Sequence, residues 1–529
     1  MNPRGTVPQV WPLAGVAAVV ILLTLTGVVP PWSGLIHLVG LPPLDLFADL
    51  RLLLTRTTSV PSFLALLVLV ATVRICVLAL LLGGLTRDRL RLAALFYAAA
   101  LPLLLLAATI DFAAYAVLYS RLFWPAVAVV AVVVLVAGPA LWQRADGGPH
   151  RPGPGQPASP LPARLRTGLG RSLRRGLRLE VMVPYAAAVV ALGAVADVTD
   201  DWVSVAVVPV SALATAAAIS ALARPVPGRA RRRLAVAAIV AVLVGGAFVT
   251  TRTVAPAPPA EARPGSLFIM SGINSSSGSG SIFETDVEAL GYGCDQVYYF
   301  SYAGTGDGAP QGDATCPIRT GAPYQPDDTL RPVSEQVDLF AAQVRDLPRP
   351  LVVAGHSLAA WVAWEAVATG RAPQVDVLVL VGPFPDSPVG FPPAGTDGAG
   401  RVAGDLLRLL TPLAEAGDFH FDPEAPAARE LLATPNAASE VFGRPLPERV
   451  RAVSITSATD LPLMPGGWRL PVERNACPVR EAHPYLPETP AFYQEVNRFL
   501  DRAPPLPCPR WRDWGAPAAR PFGVPPAAV

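Results

Sequence analysis

The chain has 529 residues, 52% of them hydrophobic, with a mean hydropathy of +0.42, which excludes a wholly soluble protein of this size and requires a membrane-embedded part. Its formal charge of +2 conceals two opposed halves: residues 1–265 carry 23 arginines against 10 acidic residues, and 266–529 carry 19 against 30. The two halves therefore belong in different surroundings. Lysine is absent and Ala, Pro, Val and Arg dominate, a bias that suggests a GC-rich bacterial genome and says nothing about chemistry.

Taken in chain order, apolar stretches long enough to cross a hydrocarbon core of about 30 Å lie near 10–30, 60–85, 92–119, 123–143, 180–197, 203–223 and 234–251. Seven spans are expected within a membrane domain of residues 1–252. The first could instead be a secretory signal, but no small-residue cleavage site follows Val28-Val29-Pro30-Pro31-Trp32, which favours a retained helix. Arginines concentrate at Arg4, at Arg87, Arg89 and Arg91, in eight positions from Arg144 to Arg178, and at Arg224, Arg229 and Arg231 to Arg233; the alternate loops hold Arg51, Arg56 and Arg121. This bias places the N-terminus in the cytoplasm and, with seven spans, everything after 251 outside. Residues 34–57 are Leu-rich but broken by Pro42-Pro43 and charged at Asp45, Asp49 and Arg51, the pattern of an interfacial or re-entrant segment. Arg74 and Asp111 fall inside spans and read as a structural ion pair or a snorkelling arginine, with a transport role as the alternative. The Gly/Pro/Arg-rich stretch 144–179 reads as an inner loop whose charges set topology.

A Pro-rich linker covers 253–265, after which β-like and amphipathic runs alternate. Leu267 to Met270 is a strand; a helix is expected near 281–290, opening with the capping-box pattern Ser281-x-x-Glu284; Val297 to Phe300 is a strand. A helix follows at 333–347 with Val333, Val337, Phe340, Val344 and Leu347 on one stripe, then the strand Leu351 to Ala354, the helix Leu358 to Thr369 closed by Gly370, the strands Val375 to Val381 and Val450 to Thr456, and a last helix Pro490 to Leu500. The fold class is therefore an α-helical transmembrane bundle followed by an α/β domain with a doubly wound, mostly parallel sheet over 266–503. Residues 387–447 are long for a connector and contain helix-like runs at 401–416 and 425–434; they are expected to form a cap, whose Phe391, Leu406, Leu407, Leu409, Leu410, Phe419 and Phe421 would line an acyl pocket or pack the cap onto the core. A Pro-rich tail occupies 504–529.

Cys294, Cys316, Cys477 and Cys508 form an even set in the outer domain, as an oxidising exterior permits, and closeness in sequence favours the pairs Cys294–Cys316 and Cys477–Cys508. No C-x-x-C spacing is present, so no metal site is expected, and no cofactor.

The run Leu351-Val-Val-Ala-Gly-His-Ser-Leu-Ala359 is a strand that ends on a G-x-S-x-A turn and enters a helix. A serine hydroxyl becomes a nucleophile on such a tight corner, where small residues such as Gly355 and Ala359 keep the turn free of clashes. Ser357 is the candidate. The domain offers His356, His420 and His483 as bases. His356 lies inside the turn and points away from its neighbour's reaction axis, whereas His483 follows the last strand signal and is preferred, with His420 the alternative. Asp460, after Val453 to Thr456, stands between serine and histidine in the chain as an orienting acid should; Asp386, one strand earlier, is the alternative. Two oxyanion donors are needed: the backbone N–H of Leu358, and one from the loop Ser271 to Gly280, at Ile273 or, as second choice, Asn274. That loop's Gly and Ser could equally make a flexible linker, but not a lysine-dependent phosphate loop.

With Ser357, Asp460 and His483 in this order, and with Phe268-Ile-Met-Ser-Gly, Val297-Tyr-Tyr-Phe-Ser-Tyr and Gly355-His-Ser-Leu-Ala around them, residues 266–503 resemble the lipase/esterase-like branch of the α/β-hydrolase superfamily. The family's usual His-Gly after the first strand is Ser271-Gly272 here, its last elbow glycine is Ala359, and no strand precedes Leu267. The resemblance implies a membrane-anchored serine hydrolase with an acyl-ester or lipid substrate, the membrane as partner and no nucleic acid. The alternatives are an acyltransferase acting on envelope lipids or glycans, and a catalytically degenerate sensor or scaffold domain.

Overall fold

A computed structural model describes residues 9–118, 179–197, 201–223, 260–383, 390–415, 422–461, 464, 467–509 and 512. The chain divides into two compact units, one within 1–245 and the other built on Gly246–Val529. In the first, α1 (Pro12–Leu25), α2 (Leu35–Leu38), α3 (Leu44–Arg56), α4 (Val60–Leu81), α5 (Arg87–Leu118), α6 (Leu179–Asp197) and α7 (Asp201–Ala223) follow one another among the described residues. Three segments are long and apolar enough to cross a membrane, Val60–Leu81, Arg87–Thr109 and Trp202–Leu222, while Pro12–Leu25 and Pro184–Ala196 are shorter apolar helices. The expected spans at 123–143 and 234–251 lie outside the described residues. All-round apolarity, with many leucines and valines of α1 and α4 exposed, is the composition of helices that meet lipid rather than water.

Residues 34–57 fold into α2 and α3 around a cis Pro42-Pro43 bond and supply what the sequence did not assign, the counter-ions of Arg74. Its guanidinium grips Asp49 with Nε at 2.6 Å from Oδ2 and Nη2 at 2.9 Å from Oδ1, and Nη1 donates to the Leu38 carbonyl at 2.8 Å. Asp45 lies 3.8 Å from Nη1 and accepts the Tyr97 hydroxyl at 2.6 Å. Arg74 is thus paired with the two aspartates of α3; Asp111, the other charge expected inside a span, has its side chain outside the described residues. A buried guanidinium needs its donors satisfied by fixed acceptors, and α3 brings two carboxylates on one face, four residues apart.

The second unit carries a six-stranded, wholly parallel sheet in the order β2-β1-β3-β4-β5-β6, with β1 (Ser266–Met270), β2 (Val297–Tyr299), β3 (Leu351–His356), β4 (Val375–Val381), β5 (Arg451–Ile455) and β6 (Arg474–Asn475). β1 and β3 are buried throughout, which is why they read as unbroken apolar runs, helices or loops covering both faces. α8 (Val333–Val344) and α9 (Leu358–Ala368) pack on the sheet, and α12 (Pro490–Leu500) closes the domain. Phe340 of α8 meets Phe268 and Phe300 edge-on, and Trp361 and Trp364 of α9 both meet Phe442 of the short α11 (Ala437–Phe442). Since the chain leaves β1 toward β2 on one side and β3 toward β4 on the other, the carboxyl ends of β1 and β3 form the switch point, the place where open α/β sheets bind ligands.

The helix expected at 281–290 is absent. Two short 3-10 turns, Ser281–Glu284 and Glu288–Leu290, stand there instead, because Thr285 is extended and the Ser281 hydroxyl, read as a cap, donates to the Pro484 carbonyl. The two-residue β6 had no legible apolar pattern. In the cap, α10 (Arg401–Glu415) and helical turns over 426–433 form as expected. Phe391, Leu407, Ala425, Ala428 and Ala433 make a small core that reaches Leu330 and Ile273, with Leu410 packed against it, while Leu409 is 71% exposed and contributes nothing to it; Phe419 and Phe421 lie outside the described residues. Disulfides join Cys294 to Cys316 and Cys477 to Cys508.

Replacing Arg74 by Leu leaves two buried carboxylates without their guanidinium, a loss of about 3–5 kcal/mol for a broken buried pair. The purified variant in detergent is therefore expected to melt well below the parent, and equal melting temperatures would contradict the pairing.

Candidate functional site

Ser357 sits where β3 stops and α9 begins, at φ +58° and ψ −123°, a left-handed backbone that costs a non-glycine residue about 1–3 kcal/mol and persists when its surroundings enforce it. They do so here. The Ser357 N–H donates to the Val381 carbonyl at 2.8 Å, and Gly355 has no room for a side chain, since a Cβ there would lie 2.8 Å from the Ala359 carbonyl oxygen. Ser357 is partly exposed between buried neighbours, at the amino end of α9, where unpaired N–H groups and the helix dipole favour negative charge.

The loop after β1 passes directly over this serine. A Cβ on Gly272 would be 2.8 Å from Ser357 Cβ and 3.3 Å from its Oγ, so only glycine lets the loop approach so closely. The loop is fixed, not a linker. Tyr302 donates to the Ser271 carbonyl at 2.6 Å, the Ser275 hydroxyl donates to the Gly272 carbonyl at 2.7 Å and lies 3.1 Å from the Tyr324 hydroxyl, and the Asn274 N–H donates to Thr329 Oγ1 at 3.0 Å. Burial pushes the Tyr302 phenol well above its usual range, so it stays a donor. With the N–H of Asn274 engaged, that of Ile273 is the one left: among the described residues, no hydrogen bond uses the N–H of Ile273 or of Leu358.

From the other side come β4 and β5. Beyond β5, the Ala458 N–H donates to the Val479 carbonyl at 2.7 Å, the Thr459 N–H donates to Ser457 Oγ at 3.0 Å, and the Ser457 hydroxyl donates to the Glu481 carbonyl. This clasp holds the Asp460 turn against the segment that carries His483. His483 Nδ1 lies 2.8 Å from Asp460 Oδ2, with both side chains buried. Donation to a carboxylate puts the proton on Nδ1 and leaves Nε2 as the basic nitrogen. Gly382, at φ +57° just past β4, lies against the imidazole edge: a Cβ there would be 2.5 Å from His483 Cε1 and 3.4 Å from Nε2. Its N–H donates to the Ile455 carbonyl at 2.8 Å, so β5 fixes the wall of the histidine site.

Thus Ser357, His483, Asp460, Leu358 and Ile273 all come together at one edge of the sheet. Asp386 and His420, the alternative acid and base, lie outside the described residues. His356, expected to point away from the chemistry, packs on the candidate base: the two rings stack at 5.0 Å between centroids and 28° between planes, and His356 Nε2 lies 3.1 Å from the His483 carbonyl oxygen. Sequence reading also missed Gly382, for which the Val381-Gly382-Pro383 stop after an apolar strand was the available signal. The Ser457/Thr459 clasp and the Tyr302 and Tyr324 braces left no local pattern, since each joins segments about 20 to 50 residues apart.

No family model matches the chain, and no curated protein matches it. Among solved structures, it is similar to the N-formylmaleamic acid deformylase of Pseudomonas putida S16 at 12% identity, over 38% of this chain and 77% of that one, with a TM-score of 0.22.

Burial first, and then the neighbouring His483, lower the His356 pKa from 6.5 to about 3. A histidine held neutral in the fold takes up a proton on unfolding at any pH between these values, so its contribution is complete above pH 6.5 and is lost as pH falls from 6.5 toward 3. A His356→Gln variant is expected to lose less thermal stability than the parent between about pH 7 and pH 4, as followed by melting curves; parallel curves would contradict a buried neutral ring.

Proposed function

We propose that the second unit is an extracytoplasmic serine hydrolase of α/β-hydrolase type, esterase- or lipase-like, anchored by the first unit and cleaving an ester or related acyl bond of a lipid-like substrate. The observation that carries this reading is the buried 2.8 Å contact of Asp460 with His483, set at the same sheet edge as a serine in strained backbone geometry. The N–H groups of Ile273 and Leu358, used by no hydrogen bond among the described residues, support a working site over a degenerate scaffold, because two backbone donors beside the nucleophile are what a developing oxyanion requires.

In this reading Ser357 Oγ attacks the acyl carbon while His483 Nε2 takes its proton; the carbonyl π electrons move onto oxygen, where the two N–H groups meet them. The imidazolium is stabilised by Asp460 and returns the proton to the departing alkoxide as the C–O bond breaks. Water then repeats the sequence on the acyl-enzyme, giving the acid and free Ser357. An acceptor alcohol in place of water would make the same site an acyltransferase. The apolar cap core that meets Ile273 suits an acyl chain at this position, and two disulfides and the concentration of arginine in the presumed inner loops support an outer location.

Turnover of p-nitrophenyl esters by the full-length protein in detergent tests the proposal. Ser357→Ala is expected to lower kcat/KM by more than about a thousandfold, and unchanged turnover would contradict it. Gly382→Ala, which drives a methyl into the imidazole at a positive φ, is expected to lower it by at least about tenfold and to lower the melting temperature as well, and a fully active variant would contradict the contact.

A further inference from the structure

His356 is a buried titratable group at the site that the mechanism above leaves idle. It occupies the middle of the elbow, between Gly355 and Ser357, so its backbone is fixed by the same strand end that fixes the nucleophile; in the sheet it stands opposite Val381. Its side chain does two things at once. It lies face to face with the His483 imidazole at 5.0 Å, and its Nε2, 3.1 Å from the His483 carbonyl, can make that hydrogen bond only as a donor, which fixes its tautomer. Among the described residues, His483 is the only charged or titratable side chain that perturbs it; Asp460 lies against Nδ1 of that same ring.

We propose that His356 is a positioning residue for the base: by holding the backbone and ring face of His483, it sets the direction of Nε2 toward Ser357 and accommodates the imidazolium that forms when the serine proton is taken. This rests on the serine-hydrolase reading above and assigns that site a fourth side chain. His483 is then held on three sides, by Asp460 at Nδ1, by Gly382 at the ring edge and by His356 across the ring face. Tying the third hold to the residue next to the nucleophile means that the base follows the serine if the elbow shifts. The neutral ring also matters. A polarisable, uncharged neighbour favours the imidazolium where an aliphatic side chain would only remove water from it, and burial keeps His356 uncharged at any pH where the base works.

The test is the rate at which a fluorophosphonate labels the full-length protein in detergent, followed from about pH 5 to pH 9. In that step an Oγ–P bond forms, the P–F bond breaks, fluoride leaves, and the Ser357 proton passes to His483. The parent is expected to carry the adduct on Ser357, with Ser357→Ala unlabelled. His356→Leu is expected to lower the plateau rate by about tenfold or more and to move the half-maximal pH downward, whereas His356→Gln, whose amide can reach the same carbonyl, is expected to recover the plateau to within about threefold. If the leucine variant does not melt cooperatively, His356→Phe, which keeps a flat ring but no donor, replaces it. A leucine or phenylalanine variant with the parent's plateau and midpoint would overturn the proposal while leaving the hydrolase reading intact. So would a glutamine variant as slow as leucine at an unchanged midpoint. An unlabelled parent would overturn both.

Discussion

The left-handed backbone at Ser357 is the constraint from which the rest of the second unit follows. A non-glycine residue at φ +58° is tolerated only if its neighbours permit no alternative, and each neighbour is accounted for: Gly355 because a Cβ would strike the Ala359 carbonyl, Gly272 because the β1 loop runs over Ser357 itself, and the Val381 carbonyl because it accepts the Ser357 N–H. The strained corner thereby ties β1, β3 and β4 at one point, and that point lies at the switch in strand order, where open α/β sheets bind ligands. A fold built this way offers a hydroxyl, a helix amino end and a close-packed loop in one place.

The candidate acid and base, Asp460 and His483, are positioned by a different physical route. Asp460 and His483 are 23 residues apart and are brought together by a clasp of Ser457, Thr459 and the carbonyls of Val479 and Glu481, not by any local motif. The buried pair at the end of that clasp is expensive to leave unsatisfied, so each side chain fixes the other. His356 and Gly382 then define where the imidazole stands. Each hold on His483 comes from a different strand end, which makes the geometry a property of the sheet and not of the loops.

How much of this was legible depended on range. The strands Leu267 to Met270 and Val375 to Val381, and the helix Pro490 to Leu500, follow from continuous apolarity and from spacing, and the structure gives them nearly the same bounds. Ser357, His483 and Asp460 could be singled out as candidates because chain order and strand-turn-helix context constrain where a nucleophile and its partners would stand. What failed was local pattern without tertiary knowledge: the capping box at Ser281 was diverted to Pro484, and β6 is too short to carry a period. The Arg74 partners could not be read because Asp45 and Asp49 sit in a segment whose prolines and charges suggested an interface. His356 was set aside because a residue next to the serine on a strand was expected to face away from it, yet its ring packs on His483.

Whether the strained serine is a nucleophile, and on which side of a membrane it works, can be read in one measurement: treatment of intact cells with a membrane-impermeant fluorophosphonate, followed by mapping of the adduct. Labelling of Ser357 in intact cells, absent in Ser357→Ala, is the predicted result. Labelling only after the cells are broken would contradict the outer location, and none in either state would contradict the nucleophile itself.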